Sequence, residues 1–153
     1  MKNRKKKTFV YEEFGFPIKL SNVPMKKVVG EWVIDVNFDS LEKGVLRLLI
    51  HKSTPLTGPE FRFIRKWLGL TTIEFGKIFG VSHPAVLKWE NGRARPPIAG
   101  DIYLRLYILT HLKAKDREFR TVLEESTAER LIERRNKRVP SLSIDVEKDL
   151  RSA

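Results

Sequence analysis

The segment from Thr71 to Gly92, TTIEFGKIFGVSHPAVLKWENG, constrains this chain most. A capping box, Thr71-Thr72-Ile73-Glu74, opens a short helix that runs to Phe79. Gly80-Val81 breaks it, a second helix begins near Ser82, and Asn91-Gly92 stops that one. Gly80 supplies the positive φ of a tight turn, and Gly76 supplies a small residue where the second helix crosses the first. Phe75, Phe79, Val81, Val86 and Trp89 form an apolar set that locks the two helices at a fixed angle. Ser82, His83, Ala85 and Lys88 are left facing outward.

Two helices this short cannot stand alone. A third precedes them from the capping box Thr57-Gly58-Pro59-Glu60, with Phe61, Ile64 and Leu68 as its core stripe and Gly69 as its stop. Arg62, Arg65 and Lys66 lie off that stripe and read as a solvated face. After Arg95-Pro96-Pro97 a fourth helix spans about Asp101 to Leu112 and is apolar nearly all round, so it is expected to bury more than one side. That surplus makes this helix, or the charged helical stretch 116–136 with its capping box Ser126 to Glu129, the expected interface of a homodimer.

The flanks are less regular. Residues 9–36 read as β structure, with Gly30-Glu31 turning a hairpin and Pro17 and Pro24 confined to edges or loops. Leu41, Val45, Leu48 and Leu49 share one face of a helix over 38–51. Ser53-Thr54-Pro55 is the best internal boundary. The organisation expected is a disordered basic tail over 1–8, a small α+β module over 9–54, a helix-turn-helix domain over 55–113 and a charged helical extension over 114–153, its end frayed. The fold class is mainly α.

Of 153 residues, 30 are Lys or Arg and 19 are Asp or Glu, a formal net charge of +11. Such a balance favours a polyanionic partner. Five of the basic groups fall in residues 1–7; the remaining residues carry 25 basic and 19 acidic groups, a net +6. There is no cysteine, which excludes disulfides and thiolate metal sites. His51, His83 and His111 are scattered without metal spacing, and no phosphate loop, nucleophile elbow or acid–base pair is visible. No cofactor, no metal and no enzymatic activity are expected. No stretch approaches the roughly 20 apolar residues that span a bilayer, so the expectation is a cytoplasmic, nucleoid-associated protein without a membrane partner.

Leu56 to Gly92, LTGPEFRFIRKWLGLTTIEFGKIFGVSHPAVLKWENG, resembles the DNA-binding domain of the lambda-repressor/Cro (XRE) family, its closing VLKWENG being similar to the end of that family's recognition helix. The LTG…FIRKWLGL opening is most similar to the helical domain of MqsA-type and HigA-like antitoxins. The resemblance implies a lambda-repressor-like fold, sequence-specific binding of double-stranded DNA as a homodimer on a two-fold operator, and an antitoxin-like autorepressor with a cognate toxin. The chain departs from the pattern in several places. It lacks the cysteines of the antitoxins' zinc module, has Thr72 where the family often has a phosphate-contacting Gln, has Gly76 where Ala is usual, and carries Pro84 in the first turn of the second helix.

The residues expected on DNA are Thr72, Ser82, His83, Pro84, Ala85, Lys88, Asn91, Arg93 and Arg95. Lys88 projects from mid-helix toward base edges or phosphate. His83 reads a base or phosphate, or caps the helix in place of Ser82. Arg93 and Arg95 follow in a Gly-Pro-rich loop suited to phosphates, and Asn91 either contacts DNA or simply stops the helix. Ala85 and Leu87 suit a thymine methyl, and Leu87 suits packing at least as well. Rival readings are a stand-alone regulator without a toxin, a protein-interaction adaptor, and an RNA binder, for which the linear sequence shows no aromatic platform.

Overall fold

The computed structural model describes residues 5–138 and 141–150. Among them eight helices and four strands form, so the protein is mainly α with a small β component. It divides into two compact units, Met1–Leu48 with Ser141–Ala153, and Leu49–Pro140.

The first unit is a sheet covered by a helix. Strand β1 spans Lys5–Tyr11, β2 Ile18–Val28, β3 Glu31–Ile34 and β4 Ser143–Asp145; helix α1 spans Phe38–Ile50 and α8 Val146–Asp149. β2 is the spine. β1 runs antiparallel along one edge of it, from Lys5 opposite Met25 to Tyr11 opposite Ile18. On the other edge β4 pairs in parallel with Lys19 to Ser21, and β3 pairs antiparallel with Met25 to Val28. Between the Lys7–Val23 and Phe9–Leu20 pairs, β2 carries one residue more than β1. Asn22 takes up that bulge with φ 52°, a conformation Asn tolerates better than most residues. The bulge resets the alternation, so Ile18, Leu20, Val23 and Met25 are all buried with Leu41, Val45 and Ile144.

Three expectations are corrected here. Residues 5–8 are not a disordered tail but belong to β1; residues 1–4 lie outside those described. Strand geometry relieves the charge run by turning successive lysines to opposite faces. Lys5 Nζ sits 4.4 Å from the Trp32 ring centroid and Lys7 Nζ 5.8 Å from that of Phe9, while Lys6 pairs with Glu147. Pro24 lies in the central strand rather than at an edge or in a loop. Its carbonyl accepts from the Asp35 amide, toward the β3 side, so its missing N–H falls in the gap between the stretches bonded to β4 and β3. Finally, 114–153 is not one helical extension with a frayed end. Ser143–Asp145 is a strand, because Ile144 and Val146, 2% and 6% exposed, enter the core of this unit. Asp145 caps α8, accepting from the Lys148 amide and from Asn22 Nδ2. Those donors hold its carboxyl below the ordinary value of 3.8, the Lys148 amide contributing most. Residues 139–140 and 151–153 are not among those described.

The second unit is all helical: α2 Gly58–Trp67, α3 Thr72–Phe79, α4 His83–Glu90, α5 Ile98–His111, α6 Asp116–Glu125 and α7 Ala128–Glu133. The two expected capping boxes form at Thr57/Glu60 and Thr71/Glu74. The third does not. Thr127 caps α7, while the Ser126 hydroxyl accepts from the guanidinium of Arg105. α5 starts at Ile98 rather than Asp101, with Pro97 as an N-cap that makes no side-chain bond; proline φ is already helical.

α5 is not apolar all round either. Asp101 and Arg105 are buried, 2% and 1% exposed, and pair at 2.6 Å. Arg105 also donates to the carbonyls of Ile50, Lys52 and Thr54, and Asp101 accepts from the Leu56 amide at 2.7 Å. A guanidinium with five donors is suited to tying up the orphan carbonyls of an irregular segment. Beside it Lys52 and Glu60 form a second buried ion pair. Among the described residues, no helix is long and apolar enough to cross a membrane.

Candidate nucleic-acid interface

The site is built on α4, and the helices under it explain why α4 holds its place. Gly80 closes α3 at φ 66°, and the Val81 amide returns to the Gly76 carbonyl at 2.9 Å, a Schellman-type closure. At Gly76 a Cβ would stand 2.6 Å from the Val81 carbonyl oxygen. The turn therefore folds back more closely than any side chain at Gly76 permits.

An aromatic cluster sets the angle. Phe61 of α2 lies 6.3, 6.4 and 6.1 Å, centroid to centroid, from Phe75, Phe79 and Trp89. Phe79 in turn lies 5.7 Å from Trp89 and 6.0 Å from Tyr103 of α5. Four helices thus share one set of rings, whose edge-to-face contacts add to area burial.

The far end of α4 is pinned by Gly58, expected only as part of a capping box, and by Arg65, expected on a solvated face. At Gly58 a Cβ would collide with the Trp89 carbonyl oxygen and stand 2.9 Å from that of Glu90, so the start of α2 lies directly against the end of α4. Arg65 grips Glu90 through Nε and Nη2, both at 2.9 Å, and donates Nη1 to the Leu70 carbonyl. Arg65 is thus a half-buried bracket and not a solvated residue, whereas Arg62 and Lys66 are exposed. Spacing alone does not find Arg65, because its partner lies 25 residues away.

The expected site residues divide by what they touch. Ser82 is the N-cap of α4, its hydroxyl accepting from the Ala85 amide at 3.4 Å. His83 is therefore the first helical residue and not the cap. Its Nδ1 lies 2.9 Å from Thr72 Oγ1, joining the starts of α3 and α4. Pro84 is exposed in the first turn, Ala85 is partly covered and Val86 buried. Leu87 is 42% exposed, and Lys88 beside it is exposed. Asn91 is engaged locally, its Oδ1 accepting from the Arg93 amide at 3.1 Å. Arg93 and Arg95 are exposed on the following loop.

Glu74 closes the capping box of α3. The Thr71 amide and hydroxyl both hold it below its ordinary value of 4.5.

The structure adds cations that the motif did not include. Arg95 Nη2 meets Asn136 Oδ1 at 3.4 Å, and Arg135 and Lys137 line the same cleft of about 200 Å³ as Gly92, Ala94 and Arg95. The basic run Arg134-Arg135-Asn136-Lys137-Arg138 is visible in the sequence. Its position beside the loop after α4 is not, since α5, α6 and α7 intervene. Chemically the surface offers donors and positive charge to an anionic polymer, with a small apolar element at Leu87 and Pro84. No family model matches the chain, nor does any curated protein or solved structure.

Proposed function

We propose that this protein binds double-stranded DNA in a sequence-specific manner, with α4 as the helix that enters the major groove and a lambda-repressor-like helix-turn-helix formed by α3 and α4. One observation carries this reading. α4 is fixed underneath by Phe61, Phe79 and Trp89 and at its end by Gly58 and Arg65, while its outer side keeps His83, Pro84, Leu87 and Lys88 exposed. A helix fixed from beneath with an exposed outer side is what base readout requires. Arg93 and Arg95 follow α4 on an exposed loop, and Arg135 and Lys137 share a cleft with Arg95, together a basic rim suited to phosphates.

One short helix reads few bases, so a homodimer on a two-fold site follows. Ile102, Tyr103, Leu106 and Tyr107 form a partly exposed apolar stripe on α5, the surface proposed for that contact. The resemblance to antitoxins extends the reading to an autorepressor acting at the nucleoid with a toxin partner; co-purification from the native host tests that extension, and a lone chain there reduces it to a stand-alone regulator.

Selection from a random duplex pool tests the central claim. The expected result is a two-fold consensus with half-sites about one helical turn, ~10 base pairs, apart. A pool that shows no enriched sequence sinks it.

A further inference from the structure

We propose that the open part of the sheet face in the first unit is a platform for single-stranded nucleic acid. The reading is independent of duplex recognition by α4. It rests on side chains that three strands bring together and that no linear motif shows.

The register places Lys5, Lys7, Phe9 and Tyr11 on one face of β1, in line with Met25 and Lys27 of β2 and with Trp32 and Ile34 of β3. At its centre this face carries the buried Ile18, Leu20, Val23 and Met25, and along its β1 and β3 margins it is open. Phe9, Tyr11 and Trp32 are only partly buried, and Phe38 at the rim is 47% exposed. Together they line a groove of about 510 Å³.

Cations surround the rings. Lys5 and Lys27 hold their ammonium groups 4.4 and 5.4 Å from the Trp32 centroid, and Lys7 lies 5.8 Å from Phe9. Among the described residues, no carboxylate lines the groove. Carboxylates appear at the opposite end, where Glu13 and Glu42, together with burial as the larger cause, push the Tyr11 phenol up. The field along the face therefore has a direction, with phosphates drawn to the Lys5–Lys27 end.

Aromatic faces flanked by lysines match the two constant features of an unpaired strand, its base π-faces and its phosphates. In its absence the lysines rest on the rings as cation–π partners; on binding, a base takes the ring and the ammonium meets the phosphate. A rigid duplex keeps its base faces stacked inside and cannot make the first contact. A second copy of this chain is disfavoured as occupant, because a two-fold contact here sets Lys5, Lys7 and Lys27 against the same lysines.

Fluorescence anisotropy of the full chain with a short labelled thymidylate oligomer, and with a random duplex, tests the proposal. Trp32→Ala is expected to weaken oligomer binding about tenfold and Trp32→Phe far less, with duplex binding unchanged. The logarithmic salt slope for the oligomer should be about −2 if three lysines meet phosphates on a single strand. Phe9→Leu keeps the apolar volume and removes a π-face, so it guards against a folding loss in Trp32→Ala. Loss of oligomer affinity in Phe9→Leu at unchanged Tm supports the platform. Oligomer affinity that is equal in wild type, Trp32→Ala and Phe9→Leu overturns it, as does light scattering that shows Trp32→Ala converting a dimer to a monomer. Failure to bind duplex leaves the platform standing and removes only the reading of α4.

Discussion

Thr72 Oγ1 lies 2.9 Å from Nδ1 of His83, tying the first residue of α3 to the first residue of α4. Both positions were expected on DNA, and they are bonded to each other while His83 stays exposed. The bond sets the orientation of the imidazole at the start of α4. We therefore assign the pair a positioning role. Thr72→Val and His83→Ala should each weaken operator and random duplex alike, and the double variant should be little worse than either alone. A double-mutant cycle on thermal stability should show a coupling of about 0.5–1 kcal/mol. Strict additivity would mean the contact does nothing.

Lys88 is exposed at mid-helix and Arg93, Arg95, Arg135 and Lys137 lie beyond the helix end. Lys88→Ala should cost about 1–3 kcal/mol on the operator and much less on random DNA. Each arginine or lysine variant of the rim should weaken both and lower the salt slope by about one unit. An unchanged operator-to-random ratio in Lys88→Ala removes α4 as the reader.

Gly58→Ala and Gly76→Ala each push a methyl group into a backbone carbonyl of the neighbouring segment. Backbone cannot step aside as a side chain can, so the clash should outweigh the roughly 1 kcal/mol that alanine gains in a helix. The expected net loss is about 1–3 kcal/mol for each, read as a lower denaturation midpoint. A midpoint equal to wild type for either would show that the close approach is relaxed in solution.

Val29 and Gly30 turn the β2–β3 hairpin with φ 49° and 79°, both positive as in a type I′ turn. A β-branched residue is ill suited to that region, and Val29 is 98% exposed, so no packing compensates. Val29→Asn should stabilise the protein by about 1 kcal/mol. Thermal melting decides it: a Tm unchanged or lowered contradicts the assigned turn.

Tyr103 and Tyr107 stack on the exposed side of α5, 6.0 Å apart. Light scattering at micromolar concentration should find a dimer in the wild type. Tyr103→Lys with Leu106→Lys should shift it to monomer and weaken operator binding more than random binding. A wild-type monomer both with and without DNA would leave the two-fold operator without a basis.

Sequence alone determined the local events. The helix expected over 38–51 forms as Phe38–Ile50, and Thr57, Thr71 and Gly80 start and stop their helices where capping chemistry says they should. These depend on residues three to five apart, so they are legible in a linear string. Tertiary structure decided what spans distance. It turned Lys5–Lys7 from a tail into a strand, drew Ile144 into that same sheet, buried Asp101 and Arg105 in a helix that read as apolar, and set Arg135 and Lys137 beside Arg95. A lysine run beside a free chain repels itself, whereas one in a ladder has rings and carboxylates for partners. A buried arginine is unfavourable unless carbonyls converge on it, and that convergence comes from the packing of segments some 20 to 55 residues apart.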